Sequence, residues 1–343
     1  MNEKYEFRVA EEFADLLFRP EEGKALGYGV RKVEISPEDP RFDEIGKLQT
    51  KLVAETNRSL FHGWIVHRQY TKQELETAAI FHLRITAVFE PCGEECGTAY
   101  DDSTACLRCC AGRTQTSDLY LDLRRAPKTK DIARTIANEW IVSQRLAELM
   151  LDAGLTGFEL RPVRHKARYE DDPIDLSMIP TGRDLLQKAL EADATGCSWK
   201  FHVWLNRPQQ QEAWDRARSE YASVMKVKES RKRDLPIWYQ LVVISKPMAV
   251  SPLTRSGIGP FDDDPKGEHR CPMGHVLGLN LLSEVHVNRA GWDGSDVCCT
   301  KEMVGTRRGL LVPAPLLLVS AKFWRLTREN RIKGCLTEVA HLV

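Results

Sequence analysis

The sequence has no apolar run approaching the ~18 residues that a membrane-spanning helix needs, and it has no excess of charge of either sign. Over 343 residues, 49 lysines and arginines balance 49 aspartates and glutamates, and the sequence pI is near 7.1. That balance excludes a chain built as a whole to coat nucleic acid or anionic lipid, although it leaves room for a local basic stretch. Familiar catalytic signatures are missing too. There is no Gly-x4-Gly-Lys-[Ser/Thr] phosphate loop, no Gly-x-Ser-x-Gly elbow and no His-Glu-x-x-His, and Gly257-Ile-Gly259 lacks the third glycine of a dinucleotide fingerprint. The nine histidines, His62, His67, His82, His165, His202, His269, His275, His286 and His341, are scattered, with none beside an obvious nucleophile. The opening Met1–Ala10 is too charged for a signal peptide. The expectation is a cytoplasmic, non-enzymatic chain with no membrane segment. With 42% hydrophobic positions, it should fold as two domains or one large one.

Cysteine is what the chain has in quantity. Of its ten cysteines, Cys92, Cys96, Cys106, Cys109 and Cys110 crowd into one short stretch, and Cys271, Cys298 and Cys299 form a sparser group. In a reducing compartment a dense short-range cluster points to metal rather than to disulfides. The first group reads Cys-x3-Cys, nine intervening residues, then Cys-x2-Cys. Two short pairs on tight turns supply four thiolates, each about 2.3 Å from a tetrahedral zinc. Cys92, Cys96, Cys106 and Cys109 are therefore the expected ligands, with Cys110 as a substitute for Cys109. Gly93 and Gly97 suit turns that need positive φ. A closed four-thiolate shell leaves no coordination position open, so such a zinc is structural. The plainer reading is a loop of ordinary reduced cysteines.

Cys271-Pro-Met-Gly-His275 is Cys-x3-His, and Cys298 or Cys299 could complete a second zinc site with it. The alternative is a ribbon that keeps its shape without metal, its cysteines buried as small apolar residues.

The two groups sit in front of similar segments. Ile141–Phe158 and Leu318–Cys335, registered on Ser143 and Ser320, align without a gap and share Val142/Val319, Leu149/Leu326 and Gly157/Gly334. Cys92 stands almost as far ahead of Ser143 as Cys271 does ahead of Ser320. In each segment the serine is placed to cap a helix and the glycine to turn the chain into a closing strand. Strands are expected at 82–90 and 237–245, which are rich in β-branched and aromatic residues, and at 118–123 and 283–287, which alternate. The fold expected is α+β: two tandem related units, each with an antiparallel sheet, a helix and a zinc-ribbon-like insertion. The units would span 1–166 and 167–343, parted by the charged stretch 164–173.

Pro208–Met225 reads as an amphipathic helix, with Trp214, Ala217, Tyr221 and Val224 at helical spacing. It runs into a basic stretch holding Lys226, Lys228, Arg231, Lys232 and Arg233, which would meet phosphates if the chain bound nucleic acid. Otherwise those bases are a solvated helix end favoured by the dipole. Phe261-Asp-Asp-Asp-Pro265 reads as a solvated acidic loop.

The recurring Val-Ser-x-[Arg/Lys]-[Leu/Phe] segments at 142–158 and 319–335, coupled to short cysteine motifs, resemble the double-CXXCG proteins of myxobacteria and related immunity-protein families of bacterial polymorphic toxins. The likeness covers about a third of the chain. It departs from the family pattern at Cys92-x3-Cys96 and Cys271-x3-His275. The resemblance implies a non-enzymatic cytoplasmic protein that binds and neutralises a cognate toxin; it fixes no contact residue. The other function in view is a zinc ribbon that binds nucleic acid.

Overall fold

A computed structural model describes residues 1–107, 111–167, 180–193, 203–230, 235–257, 259–261, 271, 276–277, 280–305 and 313–343. The fold is mixed α and β with several sheets, and its contacts divide it into two compact units: Met1–Lys166 with Ile237–Val343, and Ala167–Pro236.

The larger unit begins with β1 (Asn2–Ala10), α1 (Glu11–Ala14), β2 (Lys24–Gly27), β3 (Val30–Ile35), α2 (Arg41–Thr56) and β4 (Phe61–Gln69), whose strands form an antiparallel sheet in the order β2-β3-β1-β4. Strand periodicity sends Tyr5, Phe7 and Val9 to one face, where they bury against Ile45 of α2. Phe261 joins this core, 4.8 Å from the Phe42 ring and stacked on Phe7 at 6.0 Å. The expected acidic loop thus starts with an aromatic anchor; Asp262–Pro265 lie outside the described residues.

The chain continues through α3 (Lys72–Thr77), β5 (Ile80–Ile85), β6 (Val88–Phe89), β7 (Tyr100–Asp101), β8 (Thr114–Gln115), β9 (Tyr120–Leu121), β10 (Ile132–Thr135), β11 (Trp140–Ser143), α4 (Gln144–Asp152), β12 (Phe158–Pro162) and β13 (Arg164–His165). The smaller unit holds α5 (Gly182–Asp193) and α6 (Pro208–Ser230). Thr181 and Asp184 cap α5 reciprocally, at 2.9 and 3.2 Å, and Gly182 N–H donates to Asp215 of α6 at 2.9 Å. The helix expected at 208–225 is present and longer. Its Trp214 and Tyr221 are 38% and 48% exposed, so they do not make the buried stripe that their spacing suggests.

The larger unit closes with β14 (Trp238–Val243), β15 (Ser256–Gly257), β16 (Val276–Leu277), β17 (Asn280–Leu281), β18 (Val285–Val287), β19 (Val297–Gly305), β20 (Ala314–Ser320), α7 (Ala321–Glu329) and β21 (Cys335–Leu342). Two large sheets run β12-β14-β11-β10-β6 and β16-β19-β20-β5-β21-β18. Each takes strands from both 1–166 and 167–343: β14 lies between β11 and β12, and β5 lies between β20 and β21. One core, including Phe81, Ile132, Leu146, Met150, Val297, Phe323 and Val339, joins both sheets with α4 and α7.

The surroundings of α4 and α7 share a set of matching hydrogen bonds. Ser143 accepts from Leu146 N–H and Ser320 from Phe323 N–H, both at 3.2 Å, as N-cap serines should. Ser143 N–H donates to the Asp131 carbonyl at 2.8 Å and Ser320 N–H to that of Asp296 at 2.9 Å. The Asp131 carboxylate accepts from Lys333 N–H at 2.9 Å and that of Asp296 from Thr156 N–H at 3.0 Å. Thr86 and Ala87 N–H groups donate to the Gly334 carbonyl, and Ile244 and Ser245 to that of Gly157. Strand pairing repeats as well: Ser143 faces Trp238 and Phe158 faces Val243, while Ser320 faces Ile80 and Cys335 faces Ile85.

Candidate metal centre

Cys92 and Cys96 share one tight turn, in which Cys96 N–H donates to the Cys92 carbonyl at 3.2 Å and both thiols are buried. Gly97 takes positive φ, 91°, but Gly93 does not, at −59°. A Cβ on Gly93 would lie 2.5 Å from Glu139 Oε1 and 2.8 Å from Leu119. Close approach, not turn geometry, therefore demands glycine there. The cause is a buried carboxylate. Glu139 accepts from Gly93 N–H at 3.0 and 2.9 Å and from the hydroxyls of Tyr100 and Thr135, pinning the cysteine turn to β10. Burial, together with that carboxylate, raises the Tyr100 phenol above its ordinary range. Burial also pushes Cys92 up to about 11 and raises Cys96, opposed by backbone N–H groups of Glu95 and Asp122 directed at their sulfurs. Nothing in the sequence marked Glu139; only its place before the Trp140 strand could have suggested a structural partner.

Cys106 is elsewhere. It is buried with Ala111 and Cys271 in a small cluster against which Met303 packs. Its N–H donates to the Ala111 carbonyl at 2.8 Å, closing a short loop. Cys109, Cys110 and His275 fall outside the described residues. Among the described residues no three of His, Cys, Asp or Glu converge as a ligand set. Cys106 shares its small buried cluster with Cys271, from the group expected to form a separate site.

Cys298 and Cys299 are neighbours on β19, facing Leu318 and Leu317 of β20. Adjacent strand residues point to opposite faces, so at most one can join any one ion. Cys298 is fully buried, with its sulfur 3.7 Å from Met248 Sδ, and burial pushes its thiol up to about 12. Burial also raises Cys299, to about 11. Cys298 packs as a small apolar residue would.

One charged cluster escaped the sequence reading. Arg68, its side chain 2% exposed, donates to Glu3 at 2.9 Å, Glu338 at 3.1 Å and the Leu282 carbonyl at 3.1 Å. Glu338 also pairs with Arg84 at 2.5 Å and lies 3.9 Å from His82 Nδ1. Burial works against the Glu338 charge, but Arg84 and Arg68 hold its carboxyl below the usual range. Burial drives His82 down to about 4, and its Nδ1 has no hydrogen-bond partner.

No helix among the described residues is long and apolar enough to cross a membrane. Comparison with protein-family models, curated proteins and solved structures gave no match.

Proposed function

We propose that this chain is a duplicated, zinc-stapled, non-enzymatic recognition protein whose two halves exchange strands and share one structural zinc. The observation that carries this reading is the burial of Cys106 and Cys271 in one small cluster. Cys271 stands as far after Cys106 in the sequence as Asp296 stands after Asp131 and Val297 after Ile132, whose backbone bonds match. Cys106 and Cys271 are then equivalent thiols, one from each copy. Each opens a ligand pair in sequence, Cys106-x2-Cys109 and Cys271-x3-His275. Two such pairs complete a tetrahedron, and a closed Cys3His shell staples rather than catalyses. Cys92 and Cys96 belong to the turn that Glu139 anchors, and Cys298 belongs to the core.

Metal analysis of tag-free protein should return one zinc per chain. Cys106→Ser and Cys271→Ser should each remove it, while Cys298→Ser should not. Two zincs per chain, or one zinc retained after Cys271→Ser, would overturn the shared centre, as would a Cys106–Cys271 disulfide seen by mass spectrometry.

The partner in this reading is a protein, and the resemblance to toxin-immunity families supports a bacterial toxin. Co-expression with the product of an adjacent toxin gene should restore growth, and the zinc-free Cys106→Ser variant should fail to do so. The second reading, nucleic acid bound through Lys226, Lys228, Arg231, Lys232 and Arg233, rests on sequence alone: the first two lie on α6, and the last three lie outside the described residues.

A further inference from the structure

The exposed side of α7 and of the turn after it is almost wholly cationic. Lys322, Arg325, Arg328, Arg331 and Lys333 are all exposed, and Glu329 is the only acid among them. Lys130 adds a sixth base, since its Cβ would be 3.3 Å from a Cβ placed on Gly334. None of the six forms an ion pair with a described residue. Lys322 donates to the Gly154 carbonyl at 3.0 Å, and Arg328 lies over the Trp324 ring at 5.5 Å.

The matching helix α4, which has a base, Arg145, only at the position of Lys322, shows that the scaffold does not require the other four bases of this segment. At the positions of Arg325, Arg328, Arg331 and Lys333, registered by Ser143 and Ser320, it carries Glu148, Leu151, Gly154 and Thr156. Gly154 takes φ 59° past the end of α4, the conformation glycine adopts freely; past α7 the same conformation is occupied by Arg331, at 51°. An arginine stands where the backbone favours glycine. A helix dipole accounts for Arg328 in the last turn but not for bases beyond it.

We infer that this face is a docking surface for the sugar–phosphate backbone of duplex nucleic acid. The outer positions of α7 present no exposed aliphatic or aromatic side chain. A protein interface has an apolar centre, and single-strand sites use stacked aromatics; a surface of cations alone suits phosphates.

The test measures anisotropy of a labelled random-sequence DNA duplex with the full chain between 50 and 200 mM salt. Wild type should bind with a log–log salt slope of roughly −3 to −5, from about −0.9 per neutralised phosphate. Arg325→Glu, Arg328→Glu and Arg331→Glu combined should weaken binding at least tenfold at 100 mM salt and flatten the slope by about three. These side chains are exposed, so an unchanged melting temperature should confirm that the variant folds. The control pair Lys226→Glu and Lys228→Glu on α6 should leave binding in place. Wild type that binds no duplex overturns the inference. So does binding that survives the α7 variant, binding lost with the α6 pair instead, or a duplex that competes no better than polyglutamate of equal charge.

Discussion

Strands β5 and β14 hold matching places, each inserted between the cap strand and the closing strand of the other half, yet they face opposite surroundings. On β5, His82 pairs across from Glu338, and both are buried beneath Arg68, which reaches in from β4. The equivalent pair on β14 is Gln240 across from Arg161. Gln240 Nε2 donates to Gln115 Oε1 at 2.7 Å, and Arg161 meets Glu159 at 2.7 Å, with half of each of those two charged side chains exposed. The strand pairings correspond, but only the β5 pair meets a side chain from the N-terminal sheet, Arg68. What the surroundings of β5 and β14 hold in common is therefore main-chain pairing, and at this pair the side chains differ.

The sharpest way to break that equivalence is through its two glycines. Gly157 has φ 91° and Gly334 φ 108°, and a Cβ on either would overlap the carbonyl oxygen of Val297 or Ile132 respectively. Backbone conformation and clash act together, so Gly157→Ala and Gly334→Ala should each cost about 3 kcal/mol or more. Denaturant midpoints should drop for both, by similar amounts. If one alanine is tolerated and the other is not, the two turns are not equivalent.

His82 sharpens the difference between the strands instead. Its folded value, about 4, lies below the ordinary 6.5, so on acidification the unfolded chain takes up the proton first. The folded state keeps its full advantage above pH 6.5 and loses up to about 3 kcal/mol as pH falls toward 4. Glu338, held low by its arginines, loses stability in the same direction at lower pH. In His82→Gln, which copies the β14 residue, the pH dependence between 6.5 and 4 should shrink markedly. Unfolding curves at several pH values that show the same slope in both proteins would mean that His82 is not the titrating group.

Local signals in the sequence were enough to place α4 and α7. A capping serine, apolar residues at helical spacing and a glycine that must turn left-handed all act within a few residues, so the expectation at 142–158 and 319–335 matches what is found. The β-branched runs likewise became β5, β6 and β14. The pairing of β5 left no such trace, because its partners, β20 and β21, lie at the far end of the chain, and nothing in its composition says which sheet it will join. The cysteine grouping rests on spacing alone, which is just as blind to such distant partners. Spacing assigns ligands to the nearest motif, and it gave no sign that Cys106 shares a buried cluster with Cys271. The pair Cys298–Cys299 was a clue that was available: adjacent residues in a strand cannot both face one ion.

The smallest effect concerns the capping serines, and it distinguishes the two helix starts by a single contact. Ser143→Ala removes one side-chain acceptor at the start of α4, which costs about 1 kcal/mol. Ser320 does the same for α7, but its hydroxyl also donates to Asp296 Oδ1 at 2.6 Å, in a buried position. Asp296 keeps its bonds from Thr156 N–H and Oγ1 on the other oxygen, so Ser320→Ala strips one oxygen of its donor without freeing the carboxylate. The cost should rise to about 2 kcal/mol. At Asp131 the corresponding oxygen is held by Arg145 at 2.9 Å, half in solvent, and does not depend on the serine. Equilibrium unfolding of both variants should therefore rank Ser320→Ala as the more damaging. The reverse order would mean that the Ser320–Asp296 contact does not hold its half of the scaffold together.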